Sequence, residues 1–327
     1  MVGHAAESVM SVLAMEARRF GIHINGYFPK SPEQKDIVRA AGIPRALGFV
    51  ADLPEGFKEL SLFQGRRTPR PGAASTAKEL VITKSVEYLN ECFGQFDHEF
   101  TADGADLYGS LLGETIGNAE DHSGREEWWM SGYLRMVPEQ EYGECHITIF
   151  NFGDTIFQSL QKLPSASLLR RHIEDLVDHH RKGRLFVRSR WTAESLWTVY
   201  ALQGGVSRFN AGVEELGHRG NGTVKMINFF LDLGQSQAAP TPPRMSILSG
   251  STQITFDGTY ELQAEHTPDG QQQPVIAFNA ANDLRRPPDS KYVRRIKDFF
   301  PGTLVNMRFY LDRKHLDQVG GSHGTAD

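Results

Sequence analysis

The sequence predicts an α/β protein, and three observations carry that expectation. Helical periods over 76–93, 107–122, 168–180, 193–202 and 224–233 alternate with short apolar runs. Strand candidates of that kind lie at 133–138, 146–152, 244–249, 252–256, 275–278 and 304–311. At 39% hydrophobic and 23% charged residues, the composition is that of a soluble globular protein. A chain of 327 residues has room for one large domain or two ordinary ones, with a core that needs no staples.

At the N-terminus, Val9, Val12, Leu13 and Ala17 recur at helical spacing until Gly21 stops the run. Residues 22–28 form a short strand candidate ended by Pro29. Ser31-Pro32-Glu33 reads as an N-cap with proline at the first helical position, opening a helix to about Ala41 that Gly42 closes. Residues 65–75 (GRRTPRPGAAS) lack any period and are rich in Pro, Gly and Arg, which predicts a linker. The expected organisation is therefore a small α/β element over 1–64, a linker over 65–75, a main domain over 76–315 and a disordered tail over 316–327. Within the main domain, Gly250-Ser251 reads as the turn of a hairpin between the strands on either side. His172, His179 and His180 read as a solvated helix face.

Charge and cysteine usage narrow the function classes. A net charge of −5 argues against nucleic acid and acidic membranes as partners. The basic groups at Arg66/Arg67/Arg70, Arg170/Arg171 and Arg294/Arg295/Lys297 read as scattered solvated faces. Cys92 and Cys145 are far apart and lack metal-ligand spacing, which fits a reduced, cytoplasmic protein. No apolar run reaches the roughly 18–20 residues of a membrane span, and the first residues lack a signal-peptide core. The oligomeric state stays open, a homodimer included.

Four segments carry chemistry. In 111–122 (LLGETIGNAEDH), Glu114, Asn118 and Asp121 or His122 fall on one helix face, beside Leu111, Leu112 and Ile116. In 147–156 (ITIFNFGDTI), an apolar strand runs into Asn151 and Gly153, and the glycine lets backbone approach a ligand. In 217–227 (GHRGNGTVKMI), a glycine-rich loop opens into a helix, the geometry that aims backbone N–H groups at phosphates. Gly302-Thr303 opens the last strong strand candidate.

In order and content the four segments resemble the ATP-binding superfamily of gyrase, heat-shock chaperones, histidine kinases and MutL, across roughly residues 76–312. The first resembles its N box, the second its D-x-G-x-G box, the third its G-x-G-x-G box. That resemblance implies a Bergerat fold: an α+β two-layer sandwich, with a mixed sheet and helices on one face. It implies ATP and Mg²⁺ as cofactors, with Asn118 as the metal ligand and Glu114 as general base. Asp121 matches the acid of the chaperone and MutL branches, His122 the histidine of the kinase and anti-sigma branches. Gly217, Arg219, Gly220, Asn221, Gly222 and Thr223 would form the phosphate loop, and residues 157–216 the lid. Gly153 would pass close to the adenine, and Thr303 would bond near the base. Two positions depart from the family pattern. Asn151 stands where the family has its adenine-reading Asp, and Thr155 where the second box has Gly.

The implied function is an ATPase whose cycle controls a protein partner in bacterial signalling or conflict. An anti-sigma-type Ser/Thr kinase and a non-catalytic nucleotide sensor are the alternatives that the same residues serve. A histidine autokinase fits less well, since no helix pair bearing a phosphoacceptor His precedes the first segment. Residues 1–60 faintly resemble the second half of a STAS-like domain; a small cap or dimerisation element is the other reading.

Overall fold

A computed structural model describes residues 3–67, 76–122, 125, 127–137, 141–182, 191–204, 222–233, 239, 241–266 and 272–321. In chain order the N-terminal part holds α1 (His4–Arg19), α2 (Pro32–Ala40), α3 (Ile43–Ala46) and β1 (Phe57–Arg66). Then come α4 (Thr76–Gly94), α5 (Ala102–His122), β2 (Glu127–Val137) and β3 (Tyr142–Phe152). A helical stretch follows: α6 (Ile156–Gln161), α7 (Leu168–Lys182), α8 (Ala193–Ala201) and α9 (Gly222–Leu233). The C-terminal part holds β4 (Arg244–Phe256), β5 (Gln263–His266), β6 (Gln272–Val275), β7 (Val293–Asp312) and α10 (Arg313–Gly321).

The fold is α+β, a helix layer packed on a five-stranded sheet of order β1-β2-β3-β7-β4. Every described pairing in that sheet is antiparallel, where a mixed sheet was expected. Side chains alternate across the pleat, so the register sorts them onto two faces. Trp128, Met130 and Leu134 of β2 share one face with Cys145, Ile147 and Ile149 of β3 and Val305, Met307 and Phe309 of β7. On this face α4, α5 and α9 close the main core. Leu111, Leu112 and Ile116 of α5 are fully buried there, at about 1.5–3 kcal/mol each. That burial sets the rotation of α5 and turns its polar stripe outward. A glycine stripe on α5 lets α4 come close: a Cβ on Gly109 would meet Ile82 at 3.3 Å and one on Gly113 would meet it at 3.6 Å.

The second face is covered in part by α1, so helices are not confined to one face. Val12 packs with Trp129, Phe150 and Leu304. The N-terminal segment also supplies β1, which pairs with β2 from Phe57 to Arg66 across the expected boundary at residue 64. The N-cap reading of the next helix has its structural counterpart: the Ser31 hydroxyl accepts from the Gln34 amide, with Pro32 at the first turn. Residues 22–28 form no strand. The hairpin expected at Gly250-Ser251 is instead a bulge inside one strand, with Gly250 at φ +60. Part of the expected tail is α10, whose Leu316 joins the core. Residues 68–75 of the linker and 322–327 of the tail lie outside the described residues.

Candidate functional site

The helix carrying Glu114 and the helix that follows the glycine-rich loop lie side by side. Tyr108 stacks on Phe229 at 5.2 Å between ring centroids. One to two turns further along α5, Thr115 Oγ1 lies 3.8 Å from Met226 Sδ, and Lys225 Nζ lies 3.5 Å from Glu114 Oε1. Contacts that ascend α5 descend α9, so the first turn of α9 approaches the last turns of α5. Asn118 is exposed in that region, one turn beyond Glu114. Asp121 forms an ion pair with Arg67 at 3.2 Å. His122 ends α5, and Gly222 and Thr223 open α9, but their side chains are not described; Gly217, Arg219, Gly220 and Asn221 lie outside the described residues.

Beneath this helix pair the sheet ends in a polar row. Gly65, Trp128, Asn151, Thr303 and Ser249 are register partners across all five strands. By the parity of β3, Asn151 continues the face of Ile147 and Ile149 toward the helices, and it is 4% exposed. Trp128 Nε1 donates to Glu120 Oε1 at 3.0 Å, which ties the row to the end of α5. Thus Glu114 lies beside the start of α9, and the row that contains Asn151 and Thr303 meets the end of the same α5 helix through Trp128 and Glu120.

The turns beyond the row are set by close backbone approach. Gly302 has φ +149, and a Cβ there would run into the Asn151 carbonyl oxygen. Gly153 has φ +136, and its amide donates to the Pro301 carbonyl at 3.0 Å. The Thr155 departure has a local structural role. Its hydroxyl caps α6 by accepting from the Gln158 amide at 3.1 Å, while Gln158 Oε1 accepts from the Thr155 amide at 2.9 Å. Ser249 holds the neighbouring pieces together. Its hydroxyl donates to the Gly302 carbonyl at 3.1 Å and accepts from the Ile156 amide at 2.9 Å. Thr303 Oγ1 stands 3.0 Å from Ser249 Oγ and is left to donate to it. The hydroxyl expected near a base is thus engaged within the sheet.

The described part of the expected lid is a packed helical unit. Leu160, Leu163, Ile173, Val177, Leu196 and Trp197 form its own core. Glu194 Oε1 accepts from the Ser251 amide at 2.8 Å, which anchors α8 to the bulge in β4. His180 corrects the solvated-face reading. It is buried, its Nε2 donates to the Leu284 carbonyl at 2.9 Å, and its ring meets Trp191 edge-on.

Sequence reading passed over Lys225, Trp128, Glu120 and Ser249. A lysine three residues after the last loop glycine was a signal for the first. The others are visible only once strand register is known.

It also missed a polar seam under α1. His4, Glu7, Ser8 and Ser11 are buried against the second face. Ser8 Oγ lies 2.8 Å from Ser131 Oγ, and His4 Nε2 lies 3.4 Å from the Ser131 carbonyl. Burial, with the nearby His146, pulls His4 down to about 3, and burial pushes Glu7 up to about 7. Burial lowers His146 as well, against the pull of Glu144. Burial alone would raise Glu144, but His146 at 3.0 Å and Arg135 at 2.6 Å bring it down to about 2. His4 Nδ1, Glu7 Oε2 and His146 Nδ1 have no hydrogen-bond partner among the described residues.

Among the described residues no helix is long and apolar enough to cross a membrane. Neither a family model, nor a curated protein, nor a solved structure matches this chain.

Proposed function

We propose that this chain binds ATP with Mg²⁺ between α5, α9 and the polar end of the sheet, as an ATPase whose nucleotide cycle changes its contacts with a partner protein. One observation supports the reading above the rest. Glu114 of α5 lies 3.5 Å from Lys225 in the first turn of α9, and Glu120 of the same helix meets Trp128 in the sheet row that contains Asn151 and Thr303. A helix start is a natural phosphate site, because its amides and dipole favour negative charge. Lys225 adds a cation in that first turn.

The donor set suits a nucleotide-borne Mg²⁺. Among the described residues no group of three His, Cys, Asp or Glu could hold a metal alone. Magnesium at nucleotide sites takes one or two protein oxygens and completes its shell with phosphates and water, where it neutralises phosphate charge. Asn118 offers one such oxygen. Glu114 would be the carboxylate that takes a proton from an attacking hydroxyl or water. Asn151 would offer its amide, one acceptor and two donors, to a base at this end of the sheet.

Labelled ATP tests the reading on wild type, Glu114→Gln and Asn118→Ala, alone and with lysate. The expected result is Mg²⁺-dependent binding, with phosphate release that falls on the order of 10²–10⁴-fold in Glu114→Gln at unchanged affinity. Asn118→Ala loses the metal-dependent part of binding. Label transferred to a lysate protein would make the chain a kinase, and retention without turnover a sensor. Absence of ATP binding in wild type would overturn the reading.

A further inference from the structure

The polar seam under α1 is built for neutral groups at its centre. His4 Nε2 donates to the Ser131 carbonyl at 3.4 Å, and His146 Nε2 donates to Glu144 Oε1 at 3.0 Å. Each imidazole therefore carries its proton on Nε2 and a bare lone pair on Nδ1. Both Nδ1 atoms are buried with no hydrogen-bond partner among the described residues, and so is Glu7 Oε2. A second proton on either ring would bring a buried charge and an N–H with nothing to donate to. The two rings lie 5.9 Å apart between centroids, so two imidazolium charges would also repel.

The elements around the seam add few counter-charges. From β2 it is faced by Ser131, Tyr133 and Arg135, and from β7 by Arg308, the register partner of His146. Glu144 of β3 is the acid on the sheet side, and Arg135 already shares it at 2.6 Å while also pairing with Glu33 of α2. Toward α3, Ser11 donates to the Ala41 carbonyl at 3.3 Å, and Arg45 is paired with Glu59 of β1. The apolar hold on the helix is small. Among the apolar side chains of α1 only Val12 and Ala14 are buried, and Met10, Leu13 and Phe20 face outward. Residues 21–29, which join α1 to α2, are in neither helix nor strand and are mostly exposed, so α1 can leave without breaking a strand.

We propose that acid releases α1 from the sheet as a unit, through protonation of His4 and His146, and uncovers the patch of Trp129, Phe150 and Leu304 that seats Val12. Proton counts give the direction. Docked, His4 is pulled down to about 3 and His146 is lowered by burial; released, each returns toward its ordinary 6.5. Release therefore takes up two protons as pH falls below 6.5. Glu7 opposes them, since burial holds it at about 7 when docked and release returns it to 4.5, so docking takes up one proton between those values. The net is one proton taken up on release, which weakens docking by about tenfold per pH unit between 6.5 and 4.5.

Hydrogen exchange on the full chain without nucleotide tests this apart from the ATP reading. Protection over residues 9–17, corrected for intrinsic rates at each pH, is read against residues 111–116 of the buried α5 core. In wild type the first is expected to fall about tenfold per pH unit from 6.5 to 4.5 while the second holds. His4→Gln and His146→Gln, which stay neutral and keep a donor, each leave one histidine against Glu7 and should flatten the fall. The double variant should reverse it, with protection over 9–17 rising on acidification. Glu7→Gln removes the opposing proton and should steepen the fall to about a hundredfold per unit, which keeps the test open should a histidine variant fail to fold. Protection over 9–17 that tracks 111–116 at every pH would overturn the proposal. So would a fall that the double variant retains, or a slope that Glu7→Gln leaves unchanged.

Discussion

Replacing Glu7 with Gln isolates the one buried carboxylate of the α1 seam that lacks a full set of partners. Glu7 is 5% exposed, and burial raises it from its ordinary 4.5 to about 7. Between those two pH values the folded chain holds a proton that the unfolded chain has released. Stability from this group is therefore complete below pH 4.5 and lost as pH rises through about 7. At roughly 1.4 kcal/mol per pH unit the interval is worth about 3 kcal/mol. Gln keeps the shape and the neutral state at every pH. The stability of Glu7→Gln minus that of wild type should thus rise by about 3 kcal/mol between pH 4.5 and 7.5 and then level off. Other groups in the seam titrate in both proteins and cancel in the difference. His4, lowered to about 3, contributes stability above pH 6.5 that is lost as pH falls. Glu144, lowered to about 2, contributes stability above its ordinary range that is lost toward that value. Urea unfolding at half-unit pH steps gives the difference directly. A flat difference, or one that falls with pH, would refute the uncharged-seam argument.

Ser249→Ala strips the Ile156 amide and the Gly302 carbonyl of a shared partner and should cost about 1–3 kcal/mol in a urea melt. Gly302→Ala drives a Cβ into the Asn151 carbonyl at a strained φ and should cost at least about 3 kcal/mol by the same measure. Gly94→Ala, where a Cβ meets open space at the end of α4, is the near-neutral control. On the ATP reading, Asn151→Asp should sharpen a modest preference for ATP over GTP, because a carboxylate rejects the guanine oxygen to which a turned amide would donate. Competition binding on both proteins checks it, and equal preference would remove Asn151 from the base contact.

Helices were legible where an apolar stripe faces a single core, as in α5 and α9. The strand candidates at 146–152 and 304–311 were short parts of β3 and β7, because β7 runs twenty residues and turns at Gly302. Pattern alone could not distinguish a bulge from a hairpin at Gly250-Ser251, since a glycine at positive φ serves either one. The stretch 22–28 is strand-like in sequence, but a strand exists only through its partner, and no described strand pairs with it. Val12 and Leu13 were read as one helical period, yet Val12 is 2% exposed and Leu13 55%. Periodicity marks a helix without saying which of two apolar faces the fold covers. The polar seam was illegible for the opposite reason: His4, Glu7 and Ser8 carry no apolar signal, and only the sheet placed against them buries them.

The two faces of the sheet meet back to back at the candidate site. Trp128, Asn151 and Thr303 form the row under α5 and α9, while their chain neighbours Trp129, Phe150 and Leu304 form the apolar patch that receives Val12 of α1. Successive residues of a strand point to opposite faces, so a change in backbone position at the row is a change at the patch as well. Trp129 and Phe150 stack at 5.6 Å between centroids, and such packing tolerates little displacement without loss of contact. If ATP binds on the row, as proposed, α1 is seated on the reverse of its floor. Nucleotide and α1 would then act on the same three strand ends from opposite sides. That shared backbone is a physical route by which a nucleotide cycle could alter a protein contact, with no moving domain required.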